Sequence, residues 1–179
     1  MTQLHKLTAR EVVYSITMAV ACLISYWIMT SVLNTIVARD DDLLGGMWAA
    51  VAAAFVFRDT GRASLAAGVA RLIATSVSIA ICLAYLSLVP PTAFGMALLL
   101  TAGCLIVMLL DRHDEIITTG ITTIVIMVVA IMSPTDAWQQ PLLRLVDTVV
   151  GISVGVACNW AATRVFNVMT PRAAPRGTN

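Results

Sequence analysis

The sequence predicts an all-α integral membrane protein in which six transmembrane helices form an inverted 3+3 repeat with both termini in the cytoplasm. Composition fixes the class: of 179 residues, 59% are hydrophobic and 12% charged, and the mean hydropathy is +0.90. These values lie outside the range of soluble domains. A short basic motif that occurs twice, each time opening a long apolar run, predicts the symmetry.

Six apolar segments account for the predicted helices. They cover residues 12–37, 43–57, 65–89, 93–110, 116–132 and 141–166, within a single membrane domain over residues 12–168. At about 1.5 Å per residue the longer segments cross a hydrocarbon core of ~30 Å, whereas the second reaches only about 22 Å and needs a thinner bilayer or longer neighbours. Residues 1–11 form a polar cytoplasmic head, and residues 169–179 are expected to be a disordered cytoplasmic tail.

Basic residues predict the orientation. One side of the six segments carries Lys6, Arg10, Arg58, Arg62, Arg71, Arg112, Arg164, Arg172 and Arg176, and the other carries Arg39 and Arg144. By the positive-inside rule the richer side faces the cytoplasm, so both termini are expected there. The acidic run 40–42 and the Pro90-Pro91 turn are expected outside, and the charged run 111–115 in a solvated cytoplasmic loop. The first segment lacks a small-residue cleavage site, so it is expected to remain in the mature protein.

The repeated motif reads RLIAT at residues 71–75 and RLVDT at residues 144–148, so Arg, Leu and Thr recur at one spacing. Chance similarity between short apolar segments is the alternative explanation. In the predicted topology the third helix starts inside and the sixth starts outside, so the two motifs cross the bilayer in opposite directions. Inverted repeats recur in transporters that place the substrate between the two halves. The symmetry therefore favours transport.

Polar and small residues follow one face of each helix that carries the motif. Steps of three and four residues join Arg144, Thr148, Gly151, Gly155 and Asn159 on the sixth helix, and Arg71, Thr75, Ser78 and Cys82 on the third. These faces are expected to avoid lipid, because a GxxxG pair lets another helix approach closely and an amide needs a polar partner. Two such stripes could line a common path.

Each arginine has two explanations. A charged side chain inside a span costs about 2.5–3.5 kcal/mol on insertion scales, so it usually faces a cavity or a partner. Alternatively, Arg71 and Arg144 reach the headgroups, since both lie within two turns of a predicted helix start. Asp147 is also placed to pair with Arg144 at a spacing of three residues. For Trp48, near a span end, an interfacial position is the ordinary explanation.

The stripes supply the candidate site residues. Those assigned to anion binding are Arg71, Thr75, Arg144 and Thr148, and those assigned to pathway or packing are Ser78, Asp147, Gly151, Gly155, Asn159 and Trp48. Guanidinium suits carboxylates because its planar fork bonds both oxygens, and threonine adds a hydroxyl donor. Asp147 is expected to be the only acid inside a span, held ionised by Arg144. We therefore predict passive or substrate-gradient-driven movement of anions, with Asp147 holding the Arg144 side chain in place.

Several function classes find no support in the sequence. A net charge of +1 without a basic stripe offers nothing to nucleic acid. The four cysteines lie in apolar runs without CxxC pairs or nearby histidines, so we assign them to packing and expect no metal. No Ser/His/Asp order, catalytic carboxylate pair or phosphate-binding glycine loop occurs. We expect no catalytic residues, no enzymatic activity and no cofactor.

The stretch from Trp48 through Arg71 and Thr75 and a closing pattern resemble the membrane half of the fusaric acid resistance and aromatic acid exporter family. The closing pattern comprises Arg144, Leu145, Asp147, Thr148, Gly151 and Asn159. The plant aluminium-activated malate transporters are similar more distantly. The resemblance covers residues 45–166 and implies a six-helix unit of the bacterial inner membrane that exports organic, including aromatic, carboxylate anions. It also implies a homodimer in which two units enclose one pathway.

The chain departs from the family pattern in three respects. Ala74 stands where a glycine often precedes the threonine, residues 161–163 lack a proline, and only a short tail follows Phe166 where larger relatives add a domain. A unit this small would need a second copy of itself or an additional export-system subunit. The rival function is a non-transporting membrane scaffold, or a subunit of a larger envelope complex, whose polar stripes serve helix packing alone.

Overall fold

The computed structural model describes residues 8–33, 42–58, 60–132 and 138–169. Over these ranges the chain is helical and contains no strand. The α-helices are α1 (Ala9–Trp27), α2 (Asp42–Val56), α3 (Gly61–Leu86), α4 (Ala93–Leu109), α5 (Ile116–Met132) and α6 (Gln139–Met169). α1 continues as a π-helix over Ile28–Leu33, and a 3₁₀ turn at His113–Glu115 leads into α5. The predicted all-α class is confirmed.

Four helical segments are long and apolar enough to cross a membrane: Glu11–Ser31, Gly61–Leu86, His113–Met132 and Pro141–Val165. α2 and α4 contain shorter apolar helices, Leu43–Val56 and Ala93–Leu109. Segments of about 20 apolar residues match the thickness of the hydrocarbon core. The protein is therefore a multi-pass membrane protein.

The start of α1 is set by local capping. It begins at Ala9, ahead of the predicted residue 12, because the Glu11 carboxylate accepts a hydrogen bond of 2.7 Å from the Thr8 N–H. The predicted end of this helix, residues 34–37, lies outside the described residues. The predicted tail from residue 170 onward also lies outside them.

α3 differs from its prediction at both ends. It begins at Gly61 instead of residue 65, because the Thr60 hydroxyl accepts a hydrogen bond of 3.2 Å from the Ala63 N–H. It ends at Leu86, three residues before the predicted end, ahead of Pro90-Pro91. The α conformation is disfavoured before proline, so a turn intervenes. α6 extends beyond its predicted bounds at both ends.

Helices that follow one another in the chain run in opposite directions, so α1, α3 and α5 point one way and α2, α4 and α6 the other. α1 and α2 are antiparallel, whereas α2 and α6 are parallel. α3 is antiparallel to α6 and to α4, and α4 is antiparallel to α5. Two contacts fix the direction of each helix pair. They are Tyr26–Gly46 and Cys22–Ala50 for α1 and α2, Ala49–Gly151 and Ala53–Gly155 for α2 and α6, and Gly61–Trp160 and Gly68–Ile152 for α3 and α6. For α3 and α4 they are Tyr85–Gly95 and Ile81–Gly103, and for α4 and α5 they are Leu100–Gly120 and Gly103–Thr119.

α3 and α6 form the centre of the bundle. α6 packs against α1, α2 and α3, and α3 packs against α4, α5 and α6. α2 and α5 make at most marginal contact with each other, although residues of both line one pocket. We call the space between them, with α3 and α6 behind it, the α2–α5 cleft.

Small residues let α2 and α6 approach each other closely. A Cβ atom added at Gly155 would lie 2.8 Å from the Ala53 carbonyl oxygen, and one added at Gly151 would lie against the Ala49 carbonyl oxygen. Such backbone contact replaces side-chain packing between membrane helices. A second, apolar cluster joins α3, α4 and α5 and consists of Ile79, Cys82, Leu99, Ile126 and Met127.

Candidate functional site

Two buried arginines face the α2–α5 cleft. Arg71 of α3 and Arg144 of α6 are each 6% exposed. Because α3 begins at Gly61, Arg71 lies about 15 Å along the helix, not the ~9 Å that the predicted start implied, and Arg144 lies about 7.5 Å into α6. A side chain that reaches the headgroups leaves its guanidinium exposed. Both guanidinium groups are instead covered by neighbouring helices.

Arg144 is stacked on an aromatic ring and incompletely hydrogen-bonded. Its Cζ atom lies 3.6 Å from the ring centroid of Trp48, and its charge interacts with that of Asp147, one turn further along α6. The Nε and Nη1 atoms are buried without a hydrogen-bond partner among the described residues. An unsatisfied buried donor costs about 1–3 kcal/mol, so this position needs a functional or solvent-based explanation.

A small pocket adjoins Arg144 and is lined by Leu44, Trp48, Val125, Ile126, Val129, Arg144 and Asp147. Its free space suits about one water molecule. The Trp48 Nε1 atom is also buried without a hydrogen-bond partner in the described part of the chain. The pocket therefore combines apolar walls with two residues that carry unused N–H donors, the combination that suits a small anionic group.

Arg71 has a different set of partners. Its Nη1 atom donates a hydrogen bond of 3.2 Å to the Thr118 hydroxyl of α5, and its Cζ atom lies 4.1 Å from the ring centroid of Phe55 on α2. Its charge also interacts with that of Glu115. Arg71 thus connects the two walls of the cleft.

The two arginines are spaced along α2. Trp48 and Phe55 are seven residues apart, so they lie on one face of α2 and about 10 Å from each other along its axis. Each ring contacts one guanidinium, and the charges of Arg144 and Arg71 interact. Aromatic faces and nearby carboxylates offset this like-charge repulsion. The cleft therefore holds two cationic positions along one wall.

The predicted hydroxyl residues are buried near the arginines. Thr75 is 1% and Thr148 2% exposed. The Thr148 hydroxyl donates to the Arg144 carbonyl at 2.8 Å, and the Ser78 hydroxyl lies 3.1 Å from the Ala74 carbonyl oxygen. These two donors are thus directed at helix backbone in this structure.

The remaining predicted residues lie at helix contacts. Gly151 and Gly155 face α2, and the Asn159 side-chain amide donates a hydrogen bond of 2.9 Å to the Arg58 carbonyl just after α2 ends. The structure therefore places these three at the α2–α6 contact, away from the pocket.

Sequence reasoning missed three residues of the site: Phe55, Thr118 and Glu115. Glu115 was expected in a solvated loop, but it is only 9% exposed and its Oε2 atom is buried without a hydrogen-bond partner in the described residues. Glu115 also lies within the apolar segment His113–Met132, so the expectation that Asp147 is the only acid inside a span was wrong. The sequence offered one sign that Glu115 and Thr118 belong together: they are three residues apart at the start of α5.

Comparison with known proteins bears on this arrangement. A family model described as fusaric acid resistance protein-like matches residues 20–158, more than half of the chain. The chain belongs to this family. The match spans both arginines and confirms the family resemblance found in the sequence, whereas the similarity to plant malate transporters stays a prediction. No curated protein and no solved structure matches the chain. Membership in the fusaric acid resistance protein-like family indicates a membrane-transporter-like role.

Proposed function

We propose that the protein is a transporter or channel for organic carboxylate anions that acts as an exporter and as a homodimer. The observation that carries this proposal is the buried guanidinium of Arg144, which has two unpartnered nitrogen atoms beside a pocket. A scaffold gains nothing from buried donors without partners, and leaving them unsatisfied is costly. A transporter of anions uses those donors to bind its substrate.

The chemistry of the cleft favours carboxylates. A guanidinium presents N–H donors in a planar fork that matches the two oxygens of a carboxylate. Stacking on Trp48 occupies one face of the Arg144 plane and leaves its edge for hydrogen bonds. Trp48, Val125 and Val129 in the pocket, and Phe55 beside Arg71, offer apolar surface to the body of an organic or aromatic acid.

The pairing of the helices supports an inverted 3+3 repeat in which α2 and α4 also cross the membrane. The symmetry can be tested by exchanging α1 with α4, α2 with α5 and α3 with α6. Each main helix–helix contact is then replaced by a helix–helix contact that the structure also contains. α1–α2 becomes α4–α5, α2–α6 becomes α5–α3, α1–α6 becomes α4–α3, and α3–α6 is unchanged. The exchanged helices run in opposite directions, and Arg71 takes the place of Arg144. Such repeats surround the substrate site of many transporters.

A second copy would complete the pathway. The pocket in one copy suits about one water molecule, which is too small for an organic acid. Phe55, whose ring lies over Arg71 on the α2 side of the cleft, is 46% exposed. We propose that a second copy covers this side, so that two units enclose the path. We also propose that the membrane is the bacterial inner membrane and that both termini lie in the cytoplasm, an orientation that the distribution of basic residues supports.

The test is efflux from liposomes that contain the purified protein alone and are loaded with hippurate, an aromatic monocarboxylate. We expect hippurate efflux above that of protein-free vesicles, no efflux of the cation choline, and a homodimer as the purified species. A scaffold would instead recover a foreign partner in fixed stoichiometry and leave hippurate inside. That result would overturn the proposal.

A further inference from the structure

Glu115 is a buried acid whose charge acts on Arg71, and the proposed function gives it no role. It closes the 3₁₀ turn ahead of α5, is 9% exposed, and has a buried Oε2 atom without a hydrogen-bond partner in the described residues. Its charge interacts with that of Arg71. Arg71 also donates a hydrogen bond to Thr118, one turn after Glu115. Glu115 therefore stands where a substrate carboxylate would approach Arg71.

Charge balance suggests what Glu115 does. Arg71 and Arg144 bring two positive charges to the interior of the bundle, and Asp147 and Glu115 bring two negative charges. A monocarboxylate that entered without any other change would leave one uncompensated negative charge in the interior, which is strongly unfavourable. One proton taken up together with the anion keeps the site neutral.

Glu115 is better placed than Asp147 to take this proton. Protonating Oε2 of Glu115 breaks no hydrogen bond, and the preceding residues 111–114 are exposed to water. Asp147 is 1% exposed and shares its helix with Arg144, whose charge interacts with it.

The surroundings of Glu115 contain few other titratable groups. α3, α4 and α5 pack against its turn. α3 carries Arg71 and also Arg62, Cys82 and Tyr85. α4 has Cys104 as its only ionisable side chain, and α5 has none. On the turn itself, Arg112, His113 and Asp114 are exposed.

We propose that Glu115 couples carboxylate binding to protonation. Ionised, it serves as the internal counter-ion of Arg71; protonated on Oε2, it releases Arg71, and the substrate carboxylate takes its place. Each anion thus binds with one proton, and both leave together, so that the transport cycle moves no net charge. This inference rests on the proposed carboxylate transport, and it replaces the passive movement of free anions that the sequence predicted.

The experiment measures how many protons the protein takes up for each anion that it binds. Hippurate binding to the protein in nanodiscs is measured by calorimetry in buffers of different ionisation enthalpy, which gives the protons taken up per anion. We expect about one proton per anion for the wild type. Glu115→Gln should take up none and bind with an affinity independent of pH. The matched control is Asp114→Asn, an exposed acid on the same turn, which should still take up about one.

Undiminished proton uptake in Glu115→Gln, or hippurate binding by the wild type without proton uptake, would overturn the inference and leave the proposed function standing. A purely structural role would weaken binding in Glu115→Gln without changing the proton count. Absence of both hippurate binding and hippurate flux in the wild type would overturn the proposed function, and this inference with it. Infrared difference spectroscopy on the wild type needs no variant: hippurate binding should add a protonated-carboxyl band, and its absence would also contradict the inference.

Discussion

Replacing Gly151 with alanine perturbs the contact that holds α2 beside Arg144. A Cβ atom at this position would lie against the Ala49 carbonyl oxygen and 2.7 Å from the Ala52 Cβ atom. Neither atom can rotate away, because one is backbone and the other is the first side-chain atom. To restore an ordinary contact of 3.4 Å to Ala52, α2 and α6 must separate by about 0.7 Å.

The size of the effect follows from two opposing terms. Overpacking costs about 1–3 kcal/mol, whereas the better helix propensity of alanine returns at most about 1 kcal/mol. Because the added atom meets backbone and a Cβ atom, the upper part of that range, about 2–3 kcal/mol, applies. The free energy of unfolding should therefore fall by about 1–2 kcal/mol, which lowers the melting temperature by about 2–8 °C for a chain of this length. Hippurate efflux should fall as well, because α2 carries the Trp48 ring on which Arg144 stacks.

Tryptophan fluorescence in detergent during heating measures the melting temperature. Gly120→Ala is the matched control, because a Cβ atom there meets only the flexible end of Leu100 at 3.3 Å. The control should melt at or slightly above the wild-type temperature. If Gly151→Ala melted no lower than the wild type, or if both variants fell equally, the close contact between α2 and α6 would be refuted.

Three further predictions concern the site and its orientation. Asn159→Leu removes the 2.9 Å donor to the Arg58 carbonyl and should cost about 1–3 kcal/mol, seen as a lower melting temperature; an unchanged temperature would contradict this. Trp48→Leu removes the ring 3.6 Å from Arg144 and should weaken hippurate binding about 2- to 30-fold, whereas Trp48→Phe should weaken it much less; equal affinities would count against stacking. A cysteine placed at either terminus should react with an impermeant thiol reagent only from the cytoplasmic side, and labelling from outside would reverse the orientation.

Composition was enough to predict the class and the existence of each helix. A membrane helix must satisfy its own backbone within a continuous apolar run, so such runs are visible without tertiary contacts. Helix ends were less accessible, because they depend on side-chain caps such as Thr60, whose hydrogen bond extends α3 by four residues. That extension is what places Arg71 deeper than its predicted position.

The motif repeat located the two arginines, but their partners depend on helix packing. Phe55, Glu115 and Thr118 are 16, 44 and 47 residues from Arg71 in the sequence, so no local spacing relates them. Glu115 sits in a run of charged residues that is typical of a solvated loop, and it is buried because its turn packs against α3, α4 and α5. Trp48 has the sequence context of an interfacial tryptophan, and its stacking on Arg144 follows from the parallel packing of α2 and α6.

Hippurate efflux from liposomes carrying arginine variants tests most directly whether the two buried guanidinium groups bind the transported carboxylate. Arg71→Gln and Arg144→Gln should each lower the initial rate about ten- to hundredfold, the range expected for losing hydrogen bonds to a charged group. Arg164→Gln is the control, because the Arg164 guanidinium also stacks on a tryptophan, at 4.1 Å from the Trp160 ring centroid, but is exposed. It should retain the wild-type rate. Wild-type rates in both Arg71→Gln and Arg144→Gln, with the proteins folded and inserted, would contradict the account.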